Sequence, residues 1–212
     1  MSGESKAVAI EECLKKWHLV LASTSPRRRE IVGKFFEEER LTVEACGFDE
    51  STVSRELGPA EYVECMSKSK AEWALANSRK PLSADTLIVT ADTMIFRDDT
   101  LVGKPEDDAD ARRILLSLAG RQHLVLTGVC ILGSDGAVRA LFHETTQVVF
   151  APLSPSTIDW YISTGEPVGK AGAYGIQGLG SALISEIRGC FWNVMGFPIH
   201  RFLQHLGSLS SK

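Results

Sequence analysis

The chain has 212 residues, of which 44% are hydrophobic and 24% are charged. This balance is that of an ordinary globular protein, and it excludes intrinsic disorder, a collagen-like chain and a disulfide-dense secreted scaffold. The formal net charge of -4 speaks against broad electrostatic capture of nucleic acid or of an anionic membrane. A small anionic substrate remains open, because a cleft needs only a few well-placed cations to bind one.

Cysteine spacing indicates a reducing compartment. The five cysteines are far apart and include no CxxC pair, which is typical of small buried thiols. Six charged residues among the first sixteen leave no room for an apolar signal peptide. The longest apolar run, 124–132, falls well short of the ~18 residues that a membrane span requires. We therefore expect a soluble cytoplasmic protein without a membrane partner.

In the first half of the chain, apolar runs alternate with stretches of helical periodicity, a pattern typical of an α/β protein. The predicted strands are 18–22, 41–46 and 87–91, and the predicted helices are 27–39 and 59–77. Ser25 is suited to cap the first of these helices, with Pro26 at its first position. The third strand is predicted to end at Asp92.

In the second half, two long strands are joined by Gly133-Ser134-Asp135-Gly136, which is a hairpin signal. The predicted elements, in order, are a helix over 107–119, strands over 122–132 and 138–150, a helix over 155–165, a glycine-rich loop over 172–180, a strand over 182–187 and a last helix after Pro198. No linker or repeat divides the chain. We therefore expect one domain over 1–212, with two lobes around a cleft.

The segment STSPRRR at 23–29 places hydroxyls and arginines where a strand turns into a helix. Free backbone N–H groups at a helix start bind phosphate, and arginines add bidentate donors. This makes Ser23, Ser25 and the following arginines candidates for a phosphate site. A capped helix with solvated arginines explains the same residues equally well.

Asp92 directly follows an apolar strand, and open α/β sheets place their active sites at the carboxyl ends of strands. A carboxylate there could bind magnesium or act as a general base. The alternative is an aspartate that forms a turn and caps the next segment.

Two further segments resemble nucleotide-binding motifs without matching them. Gly103-Lys104-Pro105 lacks the Ser or Thr that a P-loop requires after its lysine, so Lys104 alone reads as a solvated side chain. The glycine-rich loop is not a GxGxxG turn after a strand. Its Gln177 offers a donor and an acceptor to a flat ligand, and a tight surface turn is the alternative.

Taken in order, these segments resemble the Maf family. The likeness is carried by LVLASTSPRRREIV at 19–32, Lys70-Ala71, ADT at 91–93, GKP at 103–105, GRQH at 120–123 with Thr127-Gly128, KAGAYGIQGLG at 170–180 and NVMGFPI at 193–199. It covers about 18–205 and leaves a short N-terminal extension, 1–17. The resemblance implies a mixed, elongated sheet with flanking helices and two lobes around a deep cleft, similar to the inosine triphosphatase fold, in a homodimer.

The resemblance also implies an activity, namely hydrolysis of nucleoside triphosphates to the monophosphate and pyrophosphate with Mg²⁺, or alternatively Mn²⁺. By likeness, Asp92 would be the proton acceptor and would bind the metal together with Glu50, while Lys70 and Lys104 would act as catalytic cations. The residues implied for phosphate binding are Ser23, Ser25 and Arg28. The biological sense would be removal of non-canonical or excess nucleotides.

The family divides by substrate at positions that can be identified here. Arg27, Thr93 and Gln177 match the branch that acts on dTTP and UTP, whereas the branch acting on methylated GTP has Trp and Glu in place of the first and last. The resemblance therefore implies pyrimidine triphosphates as substrates. Two alternatives stay open: a pyrophosphatase for methylated or otherwise modified purine nucleotides, and a nucleotide-binding regulator of cell division that has lost turnover.

Three positions depart from the common family pattern. Thr90 stands where many members have Gly, Gly169 where many have Asp, and Gly189-Cys190 replaces a common Gly-Asp. The change at Gly169 bears on the outer polar contacts of the glycine-rich loop and leaves the catalytic positions intact.

Overall fold

A computed structural model describes residues 10–78, 81–98 and 100–210 of the chain. Within these ranges it contains α-helices α1 (Ile10–Lys16), α2 (Pro26–Gly33), α3 (Pro59–Ala76), α4 (Asp108–Leu118), α5 (Pro155–Ser163), α6 (Phe191–Met195) and α7 (Ile199–Ser210). The strands are β1 (His18–Ala22), β2 (Leu41–Glu44), β3 (Thr86–Arg97), β4 (Thr100–Val102), β5 (Gln122–Gly133), β6 (Val138–Phe150) and β7 (Ile184–Arg188).

All seven strands form one mixed sheet in the order β2-β1-β3-β5-β6-β7, with β4 paired to β3. Strand β1 runs parallel to both β2 and β3, and every other pairing is antiparallel. This confirms the expected mixed α/β class. The predicted hairpin between the two long strands is also confirmed, because β5 and β6 pair along nearly their whole length.

The prediction that the third strand ends at Asp92 was wrong. Strand β3 continues to Arg97, and Asp92 lies mid-strand, opposite Gly128 of β5. The polar residues after Ala91 resemble a strand end, but pairing with β5 extends through Phe96. A partner about 35 residues away along the chain therefore overrides the local polarity signal.

Several other boundaries also differ from the predictions. Helix α2 ends at Gly33 rather than near residue 39, because the chain turns there to bury Phe36 while Phe35 stays exposed. The final strand starts only at Ile184, since Leu179–Leu183 forms a 3₁₀ turn. The smaller shifts are the ends of β2 at Glu44 and of α5 at Ser163, and the elements without a prediction are α1, β4 and α6.

The core lies on both faces of the sheet. Helix α3 packs against β3 and β5, and Gly128 permits this approach because a Cβ there would overlap the Val63 carbonyl. A second cluster joins α2, α6 and α7 to the sheet through fully buried residues such as Leu21, Ile31 and Phe202. A third cluster packs α4 and α5 around Tyr161. None of the helices in the described ranges has the length and apolar character that crossing a membrane would require.

Candidate active site

The candidate site is a cleft of about 900 Å³ beside the middle of β3. Strand β3 pairs with β1 as far as Val89 and with β4 from Ile95, so its residues 90–94 have no strand on that edge among the described elements. All ten candidate residues line this cleft: Ser23, Ser25, Arg27, Arg28, Glu50, Lys70, Asp92, Thr93, Lys104 and Gln177. The gap in the sheet edge thus brings together residues from six separate segments.

The start of α2 forms one wall of the cleft. Ser25 caps the helix as predicted, since its hydroxyl accepts a hydrogen bond from the Arg28 N–H at 3.4 Å and Pro26 follows as the first helical residue. The Ser23 hydroxyl in turn accepts from the Ser25 N–H at 3.2 Å. Both serines therefore shape the turn that presents this helix N-terminus to the cleft.

Lys70 of α3 joins the two carboxylates. Its ammonium donates to Oδ1 of Asp92 at 2.6 Å and to Oε1 of Glu50 at 2.7 Å. The Lys70 and Asp92 side chains are only 10% and 7% exposed, whereas Glu50 is 55% exposed. Burial alone would raise the pKa of Glu50, but the hydrogen bond and charge of Lys70, helped by Lys104 and Arg28, bring that pKa below its usual value.

One oxygen of this cluster is unused. Oδ2 of Asp92 is buried and has no hydrogen-bond partner, an arrangement that suits an oxygen awaiting a cation or a proton. In the described part of the chain, no three His, Cys, Asp or Glu residues come together as a metal-binding group. Two carboxylates fit Mg²⁺ that takes its other ligands from substrate phosphates and water, as this ion commonly does.

Arg28 and Thr93 are bonded to each other in the cleft wall. The Arg28 guanidinium donates to the Thr93 hydroxyl and to the Gly196 carbonyl, each at 2.9 Å. The same hydroxyl lies 2.9 Å from that of Thr127. Burial lowers the pKa of Arg28, and the charge of Asp92 partly opposes this. These two hydrogen bonds hold the guanidinium in one orientation in the cleft wall.

Arg27, Lys104 and Gln177 make no side-chain hydrogen bond or ion pair to the described residues. Lys104 is exposed on its loop, close enough to Glu50 to help lower the pKa of that carboxyl group. This loop is tied to the glycine-rich loop, because the Gly172 N–H donates to the Gly103 carbonyl at 2.9 Å. These three side chains are therefore available to a ligand.

The lining residues to which sequence reasoning gave no role include Arg55, Tyr62, Glu166 and Lys170. Lys170 stood inside the quoted KAG segment without a role, and no local pattern singles out the other three. Burial and the neighbouring charge of Arg27 both lower the pKa of Lys170, although Glu166 opposes this. Two cations held side by side favour an anionic ligand.

One of the departures from the family pattern, Thr90, has a structural explanation. The Thr90 hydroxyl donates to the Ser67 carbonyl at 2.6 Å and so ties β3 to α3. Gly189, which the family pattern shares, has a φ of +127°, a value that disfavours other residues. The exchange of Asp for Cys190 has no structural explanation, because the 3.0 Å bond to the Thr146 hydroxyl comes from the backbone N–H. Gly169 lines the cleft with a φ of +71° and, having no side chain, supplies none of the polar contacts that an aspartate could make there.

The family model described as "Maf-like protein" matches residues 18–209. The chain belongs to this family. A Maf-like relative in Symbiobacterium thermophilum, named dTTP/UTP pyrophosphatase, is 44% identical over 192 residues that cover 89% of this chain and 92% of the relative. A relative of the same name in Clostridium beijerinckii is 39% identical, covering 86% of this chain and 94% of the relative. The resemblance inferred from the sequence is therefore confirmed.

Solved structures similar to this Maf-like chain include the Ham1 protein of Staphylococcus aureus, with a TM-score of 0.42 and 16% identity over 63% of this chain and 71% of that one. A second is a nucleoside-triphosphatase, dITP/XTP pyrophosphatase, of Mycobacterium abscessus, with a TM-score of 0.43 and 12% identity over 64% of this chain and 75% of that one.

Proposed function

We propose that this protein hydrolyses dTTP and UTP to the nucleoside monophosphate and pyrophosphate, and thereby removes excess or modified pyrimidine nucleotides. The observation that carries the proposal is the buried Lys70 ammonium held between Asp92 and Glu50 in a cleft lined by further cations. The name dTTP/UTP pyrophosphatase, shared by relatives 38–44% identical to the chain, supports this substrate class.

Asp92 is the proposed proton acceptor. Lys70 holds its Oδ1, so the carboxylate has one fixed orientation, while its unpartnered Oδ2 can accept a proton from water that attacks the phosphate. Arg27 and Lys104, whose side chains have no hydrogen bond or ion pair among the described residues, would contact the phosphate oxygens as charge moves onto the leaving pyrophosphate. Arg28 and the Ser23-to-Ser25 turn would complete the phosphate cradle.

Asp92 and Glu50 would also hold a divalent cation, Mg²⁺ or alternatively Mn²⁺. A bound cation would supply charge screening at the phosphate oxygens. Lys70 is ion-paired with both carboxylates and so holds them close together. Its charge offsets their mutual repulsion when no cation is bound.

Gln177, Thr93 and Arg27 are the proposed specificity residues. A glutamine amide can donate to a carbonyl of uracil or thymine and accept from its N3–H, whereas cytosine has an amino donor in place of O4 and an acceptor at N3. Thr93 would act together with Arg28, because their side chains are hydrogen-bonded. The alternatives, modified GTP as substrate and a regulator without turnover, are not favoured by the relatives' names.

The wider proposal is one Maf-like domain over 1–212 that works as a cytoplasmic homodimer. The formal net charge of -4 supports the absence of a nucleic-acid partner.

The deciding experiment measures pyrophosphate release from dTTP, UTP, CTP, dATP, GTP and a methylated GTP, with Mg²⁺ and with excess chelator. We expect turnover of dTTP and UTP that requires the cation, with Asp92→Asn as the catalytically inactive control. Preference for methylated GTP would instead support the alternative function, a pyrophosphatase for modified purine nucleotides. Turnover of none of the six would favour the nucleotide-binding regulator.

A further inference from the structure

Glu166 lies beneath the glycine-rich loop, and its carboxylate accepts three hydrogen bonds there. Oε2 accepts from the Leu179 N–H at 2.8 Å, and Oε1 accepts from the Gly180 N–H at 3.0 Å and from the Tyr161 hydroxyl at 2.9 Å. Bonds to an ionised acceptor are about twice as strong as neutral ones. Although burial acts the other way, these donors lower the pKa of Glu166 and keep it charged.

Tyr161 extends this anchor to the other side of the loop. Its ring is fully buried among the residues of α4 and α5, and its hydroxyl accepts from the Gly175 N–H at 3.1 Å while donating to Glu166. The Lys170 ammonium also donates to the Glu166 carbonyl. The loop is therefore fixed at residue 175 and again at residues 179 and 180.

The glycines of the loop fit this wrapping. A Cβ on Gly178 would overlap the Glu166 carboxylate, and a Cβ on Gly180 would lie 2.7 Å from both the Tyr161 hydroxyl and the Gly175 carbonyl oxygen. Such contacts are far inside van der Waals distance. The backbone therefore approaches the carboxylate as closely as it does because these positions carry no side chain.

Gln177 is the exposed residue between the two anchors, and its amide has no hydrogen-bond partner among the described residues. Hydrogen-bond discrimination requires the reading group to be held in place before the ligand arrives. We propose that Glu166, together with Tyr161, is the positioning residue that fixes the segment 175–180 around Gln177 and so sets base selectivity. This inference rests on the proposed function, since it assigns a new residue to the same site.

The test is Glu166→Gln, a change that keeps the size of the side chain. In either orientation of the new amide, its NH₂ group faces a backbone N–H, so at least one anchor is lost. We expect at least one of the two amides, that of Leu179 or that of Gly180, to exchange hydrogen about tenfold faster or more. We expect the ratio of kcat/KM for UTP over CTP to fall about tenfold, through a raised KM for UTP with little change in kcat.

Three variants serve as comparisons. Glu166→Asp keeps both carboxylate oxygens and is expected to restore part of the selectivity. Tyr161→Phe removes one anchor only and is expected to give an intermediate loss, and it carries the same measurement if Glu166→Gln does not fold. Glu186→Gln makes the same chemical change on the exposed surface of β7 and is expected to leave selectivity and exchange unchanged.

Unchanged UTP-over-CTP selectivity in folded Glu166→Gln would overturn the proposal, whether or not exchange accelerates. If neither amide exchanged faster in the variant than in the parent protein, the proposal would be overturned as well, since the carboxylate would then not hold the loop. A parent enzyme that fails to hydrolyse UTP would contradict the proposed function separately, because hydrogen exchange reports on the anchor without turnover.

Discussion

Asp92 combines a fixed oxygen with an unpartnered one, and this difference between Oδ1 and Oδ2 is the basis of its proposed role. Asp92→Asn keeps the volume and still allows the Lys70 ammonium to donate to the amide oxygen. It removes the charge that accepts a proton. We expect the variant to fold normally and to lose about 10²–10⁴ in kcat. Circular dichroism and pyrophosphate release check this, and near-normal turnover would remove Asp92 from catalysis.

Lys70 is expected to matter for stability as well as for turnover. Lys70→Met leaves the Asp92 carboxylate, only 7% exposed, without the ammonium that is ion-paired to it. Removing one partner of a buried pair typically costs about 3–5 kcal/mol in the free energy of unfolding. We expect urea unfolding to show a loss of about 3 kcal/mol, at the low end of this range, because the half-exposed Glu50 recovers its hydration.

The matched control is Lys68→Met, two residues away on the same helix. Lys68 pairs with Glu72 at 3.7 Å on the surface, so its loss is expected to cost less than about 1 kcal/mol. In the double variant Lys70→Met with Asp92→Asn, most of the lost stability is expected to return. Additive losses in the double variant would show that the two charges do not stabilise each other.

The packing of α3 on the sheet depends on Gly128. Gly128→Ala would drive a methyl group into the Val63 backbone, and backbone of a helix cannot yield as a side chain can. We expect the free energy of unfolding to fall by about 2 kcal/mol or more. The comparison is Gly207→Ala in α7, where the new Cβ would meet Cys13 Sγ at an ordinary 3.8 Å.

Gly207→Ala is expected to raise the free energy of unfolding by about 0.5–1 kcal/mol, because alanine loses less backbone entropy in a helix. Urea titration of both variants separates a close-approach glycine from a merely helical one. If Gly128→Ala were as stable as the parent protein, the approach of α3 to β5 would be looser than the structure has it.

Elements governed by neighbouring residues could be predicted from the sequence. The Ser25 cap, helix α4 after Asp107 and the β5–β6 hairpin each depend on residues within one turn, and each lies close to its predicted place. The end of β3 depends on a distant strand and was missed. Short helices such as α6, with five residues, carry too little periodicity to be recognised.

The site shows the same division. The phosphate-binding character of the α2 start follows from local chemistry, whereas Glu50 and Lys70 entered only through the family resemblance. Lys70 reaches Asp92 across 22 residues of chain, and Glu166 reaches the loop amides across 13 or 14. No spacing rule for helices or strands relates such positions, so these contacts become visible only in the folded chain.

At the scale of the whole molecule, the buried histidine His123 makes the stability of the fold depend on pH. His123 is 2% exposed, its Nε2 lies 2.8 Å from the Tyr174 hydroxyl, and its Nδ1 is buried without a partner. Its ring packs edge-on against Phe150 and Tyr174, and no charged group in the described part of the chain pairs with it. Burial therefore lowers the pKa of His123 from its usual 6.5 to about 4.

Between pH 6.5 and about 4 the unfolded chain binds a proton at His123 and the folded chain does not, so acidification through this window favours unfolding. Above pH 6.5 the ring is neutral in both states and contributes nothing. The shift corresponds to about 3 kcal/mol of folding stability, which is lost progressively as the pH falls, and the loss is complete below about 4.

Because paired carboxylates also lose stability in acid, the measurement compares the parent protein with His123→Gln, which keeps a polar group and cannot titrate. We expect urea unfolding from pH 7 to 4 to show a shallower decline in the variant, while His200→Gln at the exposed start of α7 follows the parent curve. Parallel curves for the parent and His123→Gln would mean that His123 already takes up its proton in the folded state.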